Sequence, residues 1–103
     1  MVDTKQKILD IAMNLTRIGN WAADGYEAKQ KRIEIFLRQT EMYIQEVHQE
    51  KITRPFKNTF DTFYPIFQKL DAEASPKPAN IVGWAETMMT WGNILTHRAS
   101  LLD

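Results

Sequence analysis

Ile8, Ile11, Ala12, Leu15, Ile18 and Ala22 recur at helical spacing, and the same period returns in every long segment of the chain. Nothing constrains the fold more. Apolar residues at i, i+3, i+4 and i+7 line one face of a helix, whereas a half-buried strand needs strict alternation, which no segment sustains. The chain therefore reads as all-α. Its 103 residues point to a single helical-bundle domain over 1–103. There is no cysteine, so one hydrophobic core has to hold it without disulfides or metal thiolates.

Four helices are expected. The first starts at Asp3, which can cap, with Gln6 at the reciprocal capping-box position. It ends at Gly19 or continues to Ala23. "DGYE" opens the second, with Asp24 as cap and Glu27 three residues later. Tyr26, Ile33, Leu37, Thr40, Ile44 and Val47 trace its inner stripe, and Lys31, Glu34, Arg38, Glu41 and Gln45 its wet side. The third opens at "ITRPF", with Thr53 as cap and Pro55 tolerated in the first turn. It buries Ile52, Phe56, Phe60, Phe63, Phe67 and Leu70. After the loop "EASPKPAN", the fourth runs from Pro78 to Leu102 and turns Ile81, Trp84, Ala85, Met88, Gly92, Leu95, Ala99 and Leu102 inward. Connections are placed at 23–25, 50–53 and 72–79. Short connections favour an up-and-down antiparallel four-helix bundle.

In "TFDTFYPIFQKL" a proline interrupts a row of aromatic residues. Pro65 cannot donate to the Asp61 carbonyl and crowds it, at a cost of about 3 kcal/mol in a regular helix. Each buried Phe contributes about 1.5–3 kcal/mol, so the row can offset the flaw. Phe56, Phe60, Phe63 and Phe67 keep one register across Pro65, which predicts a third helix kinked there but not ended. A gap opened by the kink would be lined by Phe60, Tyr64, Phe67, Trp84 and Trp91, and would take a small apolar ligand. Packed rings of an ordinary core are the weightier reading.

The polar residues name no reaction. Glu46, His48 and Glu50 are two apart and do not face one another on a helix, so no metal site and no cofactor are expected. "HQEKI" has a lysine three residues after His48, as in phosphotransfer domains, but not their glycine. His97 falls on a polar stripe with Glu86, Thr90 and Asn93. No acid lies on an inner stripe, and neither serine has the setting of a nucleophile. A non-enzymatic protein is expected. Thirteen basic and thirteen acidic residues cancel, which argues against nucleic acid as the partner. No signal peptide or membrane-spanning run is read, so the protein is expected in the cytoplasm.

"TKQKILDIAMNL" resembles the first helix of TetR-type transcription regulators, and "GYEA" resembles the segment just after that helix. The resemblance covers the first quarter of the chain. It ends at "KQKRIEIFLRQTEMY", which supplies no short turn and no recognition helix.

A second set of apolar residues lies off the inner stripes. Leu9 and Met13 stand about 120–160° from the first stripe, with Val2 one turn earlier, and Ile35 and Met42 about 160–170° from the second. Ile94 and Leu101 repeat the pattern in the last helix. Paired off-face hydrophobics mark an association surface, and methionine suits adaptable ones. The expected function is that of a self-associating or adaptor-type module, a homodimer first of all, using Leu9, Met13, Ile35, Arg38 and Met42. A carrier or sensor for a small apolar ligand is the alternative.

Overall fold

The computed structural model describes residues 3–50, 52, 56–100 and 102. Among them helix is the only regular secondary structure, but there are three helices and not four: α1 (Thr4–His48), α2 (Phe56–Glu73) and α3 (Ile81–Ala99). The expected connection at 23–25 is no loop. Helix continues on both sides of one non-helical residue, Gly25 (φ 166°, ψ 89°). The local signals at Asp24 and Gly25 do mark a break in direction. They mimic two helix ends, but no extra residues are needed to make the bend. Asp24 pairs with Lys29 at 3.0 Å, and Glu27 with Lys77.

The bend is sharp. A straight helix of 45 residues would be about 67 Å long, yet the longest dimension of the molecule is 38 Å. Contacts between the arms set their register. Asn14 donates to Gln39 Oε1 (2.9 Å) and Thr40 Oγ1 (3.3 Å), Lys7 pairs with Glu46 (3.5 Å), and Trp21 meets Phe36 edge-on at 4.8 Å. Asn14 and Thr40 are buried polar side chains. Burial of an unpaired amide is costly, so this bond penalises any slip of one arm along the other.

The core contains the residues expected on the inner stripes of both arms, the aromatic row of α2 and the inner face of α3. Ile52, Ile81 and Leu102 are half-buried at its edge. Two kinds of seam hold the helices. α3 packs chiefly against α1, where small side chains let the backbones approach. A Cβ on Gly92 would lie 3.0 Å from the Ala12 carbonyl oxygen, and one on Gly19 would lie 2.9 Å from that of Ala85. α2 presents Phe56, Phe60, Phe63 and Phe67, so its backbone stands further off. It runs without interruption through Pro65, which is exposed. The Asp61 carbonyl left without its helical donor therefore lies on the wet side.

Capping follows the sequence in part. Asp3 accepts from the Gln6 N–H at 3.2 Å, whereas the Gln6 side chain turns to Asp10 rather than back to Asp3. Asn80 caps α3 through the Gly83 N–H at 3.0 Å, so that helix starts after Pro78. Thr53, Pro55, Val2, Lys51 and Leu101 lie outside the described residues.

The loop after α2 is tied to the bend of α1. Tyr26 Oη donates to the Ala74 carbonyl (2.9 Å), Trp84 Nε1 to the Leu70 carbonyl (2.9 Å), and Gln30 Nε2 to the Pro76 carbonyl (2.9 Å). The Leu70 carbonyl is one that the last turn of α2 leaves without a helical partner, and the Ala74 and Pro76 carbonyls belong to the loop that follows. Burial, and secondarily the Glu34 carboxylate, raise the Tyr26 hydroxyl above its usual 10.0. A pKa raised on folding stabilises below the unfolded value and ceases to do so as pH rises through the folded one. Tyr26 should therefore weaken the fold above pH 10. In Tyr26→Phe that alkaline loss should be smaller, while stability at neutral pH drops by about 1 kcal/mol. Urea titrations of both proteins across the alkaline range measure the difference.

Candidate functional site

The outer side of α1, away from α2 and α3, carries most of the exposed apolar bulk. Met13 is 48% exposed, Ile35 56% and Met42 63%. Ile35 and Met42 are two turns apart on the second arm, on the side opposite Ile33, Leu37 and Ile44. Asn14 sits level with Gln39 and Thr40, which places Met13 within a turn of the level of Met42. Lys31 and Arg38 flank Ile35 one turn before and after it. Shallow depressions of about 420 and 410 Å³ lie on either side of Ile35, one lined by Lys29, Lys31 and Arg32, the other by Lys31, Glu34 and Arg38.

Leu9 does not join this surface. It is half-buried and packs against the core. Arg38 is only partly available, because it makes an ion pair with Asp71 of α2 at 3.3 Å. Ile94 is half-buried at the edge of a groove between α2 and α3. Val82, 66% exposed, is an apolar surface residue outside the set expected from the sequence. Its signal is its place beside the Asn80 cap, at the very start of α3.

The five residues expected around Pro65 do not surround one cavity. Phe60, Phe67 and Trp84 are buried, and the Trp84 indole is committed to the Leu70 carbonyl. Tyr64 faces the second arm of α1, where its hydroxyl donates to Glu41 (3.2 Å) and accepts from Gln45 (2.9 Å). Trp91 is half-buried, 5.5 Å from Phe63. His48 rests its ring on Tyr64 (4.8 Å) and Phe60 (5.3 Å). Among the described residues, no three His, Cys, Asp or Glu side chains come together to hold a metal ion, and no helix is long and apolar enough to cross a membrane.

The groove between α2 and α3 has a volume of about 680 Å³. Asn58, Thr59 and Thr62 form its α2 wall. On α3, Thr90, Asn93 and His97, placed by the sequence on a plain solvated stripe, form the other wall together with Trp91, Ile94 and Arg98. No helix on its own shows this groove. It exists only because the bulky row of α2 holds the two backbones apart.

No family model, curated protein or solved structure matches the chain. The likeness of the opening to a regulator's first helix has no support in the fold either: "KQKRIEIFLRQTEMY" is the second arm of α1.

Proposed function

We propose that the chain is a non-catalytic interaction module that pairs with a second copy of itself through the outer face of α1. One observation carries the reading. Ile35 and Met42 are large, apolar and more than half exposed on one side of one arm, with Met13 beside them on the other arm. Burying them would contribute about 25 cal/mol per Å² of apolar surface before the costs of association. Two features favour a copy of the same chain. A net charge of zero means that approaching copies do not repel one another at long range. The rim also carries both signs, with Lys31 and Arg38 beside Glu34 and Glu46, so a twofold arrangement can set each sign against the other.

The test is sedimentation of the wild-type chain beside Ile35→Glu/Met42→Glu. Both positions are exposed, so the variant should keep its helicity and its unfolding midpoint. The wild type should sediment as a dimer and the variant as a monomer. A wild type that stays monomeric at the highest soluble concentration, or a variant that still dimerises, overturns the reading.

A further inference from the structure

We infer that the groove between α2 and α3 binds a small amphipathic carboxylate, its acid group on Arg98 and its apolar body along Trp91 and Ile94. The groove's volume of about 680 Å³ lies within the range of about 300–1,000 Å³ found for small-molecule sites. Its lining is asymmetric in charge. Arg98 and His97 stand at one end, and among the described residues no acidic side chain lines it. Arg98 makes no ion pair with a described residue, unlike Arg38, Lys57 and Lys77, which each have an acid. A guanidinium with no described acid beside it, among neutral hydroxyls and amides, favours a carboxylate, which it can hold through two parallel bonds.

The apolar part is supplied by the next stripe of the same helix. Trp91, Ile94 and Arg98 follow one another at spacings of three and four, so they lie in line on one face of α3. Two turns separate the indole from the arginine, about 10 Å along the axis. That is the length of a ring joined to an acid through a short alkyl chain. Trp91 is not a loose flap, because its ring rests against Phe63, itself fully buried. Thr59 and Thr90 provide hydroxyls on opposite walls, and neither has a side-chain partner among the described residues, so both can turn toward a bound molecule. The inference does not depend on the association reading, which concerns the other side of the molecule.

4-Phenylbutyrate is a suitable probe, with 4-phenylbutylamine as the same body carrying the opposite charge. Each is titrated into the ¹⁵N-labelled chain. The acid should give saturable shifts at the Trp91 indole N–H and the Asn93 side-chain amide, while the Trp21 and Trp84 indoles stay still. Half-saturation is expected at about 1 mM or below, the scale set by so few ligand atoms. The amine should give no saturable shift. Arg98→Gln, at an exposed position, should keep the spectrum of a folded protein and weaken the acid by about tenfold. Absence of saturable shifts with the acid, shifts spread beyond the groove, equal binding of the amine, or an unchanged affinity in Arg98→Gln would each overturn the assignment. Should Arg98→Gln fail to fold, the comparison of acid with amine on the wild type decides alone.

Discussion

Replacing Gly92 with valine should lower the unfolding free energy by about 3 kcal/mol. Valine gains helix propensity over glycine by only about 0.4 kcal/mol, so the outcome is decided by space. A Cβ at this position would lie 2.5 Å from Thr16 Oγ1 and 3.0 Å from the Ala12 carbonyl oxygen. The Thr16 hydroxyl is held by its own bond to that carbonyl at 3.1 Å, and a backbone oxygen inside a helix cannot retreat alone. The two helices must part, and the α1–α3 seam loses contact along its length. Gly25→Ala is the matched control. A Cβ there finds only Ala28 Cβ, at 4.0 Å, and the backbone is extended, so the change should stay within about 0.5 kcal/mol. Urea denaturation of the two variants separates the cause from any general intolerance of glycine replacement. A Gly92→Val protein as stable as the wild type would mean that α1 and α3 are not in close backbone contact.

The contrast between these two glycines shows what a sequence can and cannot convey. Ile8, Leu15, Leu37, Ile44 and the phenylalanines of α2 are legible because helical spacing is local. Each residue's face follows from its neighbours three and four positions away. Gly92 falls on the inner face for the same reason, but its closeness to Ala12 depends on a helix eighty positions back. Asn14 is the sharper case. It looks like a surface amide at the edge of a stripe, and it is buried because Gln39 and Thr40 come round to meet it after the bend. Leu9 fails in the opposite sense. Its angle from the stripe is as expected, but neighbouring side chains of the core cover it. The helix count fails at Gly25, where signals for a helix end and a helix start are adjacent and no residue between them is needed. The outer face is partly legible: Met13, Ile35 and Met42 stand out from angle alone and are exposed. The groove is not, since Thr59 and Asn93 acquire a common space only through the distance between two helices.

That distance is set by the aromatic row, and Phe63 is its centre. Phe63→Ala should cost about 3–5 kcal/mol, a large share of the roughly 5–15 kcal/mol that holds a typical domain. The side chain is fully buried. Its ring lies 5.9 Å from each of Phe60 and Phe67 along α2, and 5.5 Å from Trp91 across on α3. Ring pairs of this kind are worth about 0.5–1.5 kcal/mol beyond their burial, and the truncation removes three at once. The polar ties of α2 to the second arm among the described residues are Arg38–Asp71 and the Tyr64, Glu41 and Gln45 group, at the surface. Exposed ion pairs contribute about 0–1 kcal/mol, too little to hold α2 in place. Trp91 should also lose its support, so the variant's indole signal should broaden and the groove should no longer take its probe, even well below the unfolding midpoint. Phe63→Leu keeps most of the volume and should lose less than half as much stability. If Phe63→Ala costs under about 1 kcal/mol, the row is not what seats α2. The polar seam then carries the weight, and Arg38→Ala should prove the more damaging change.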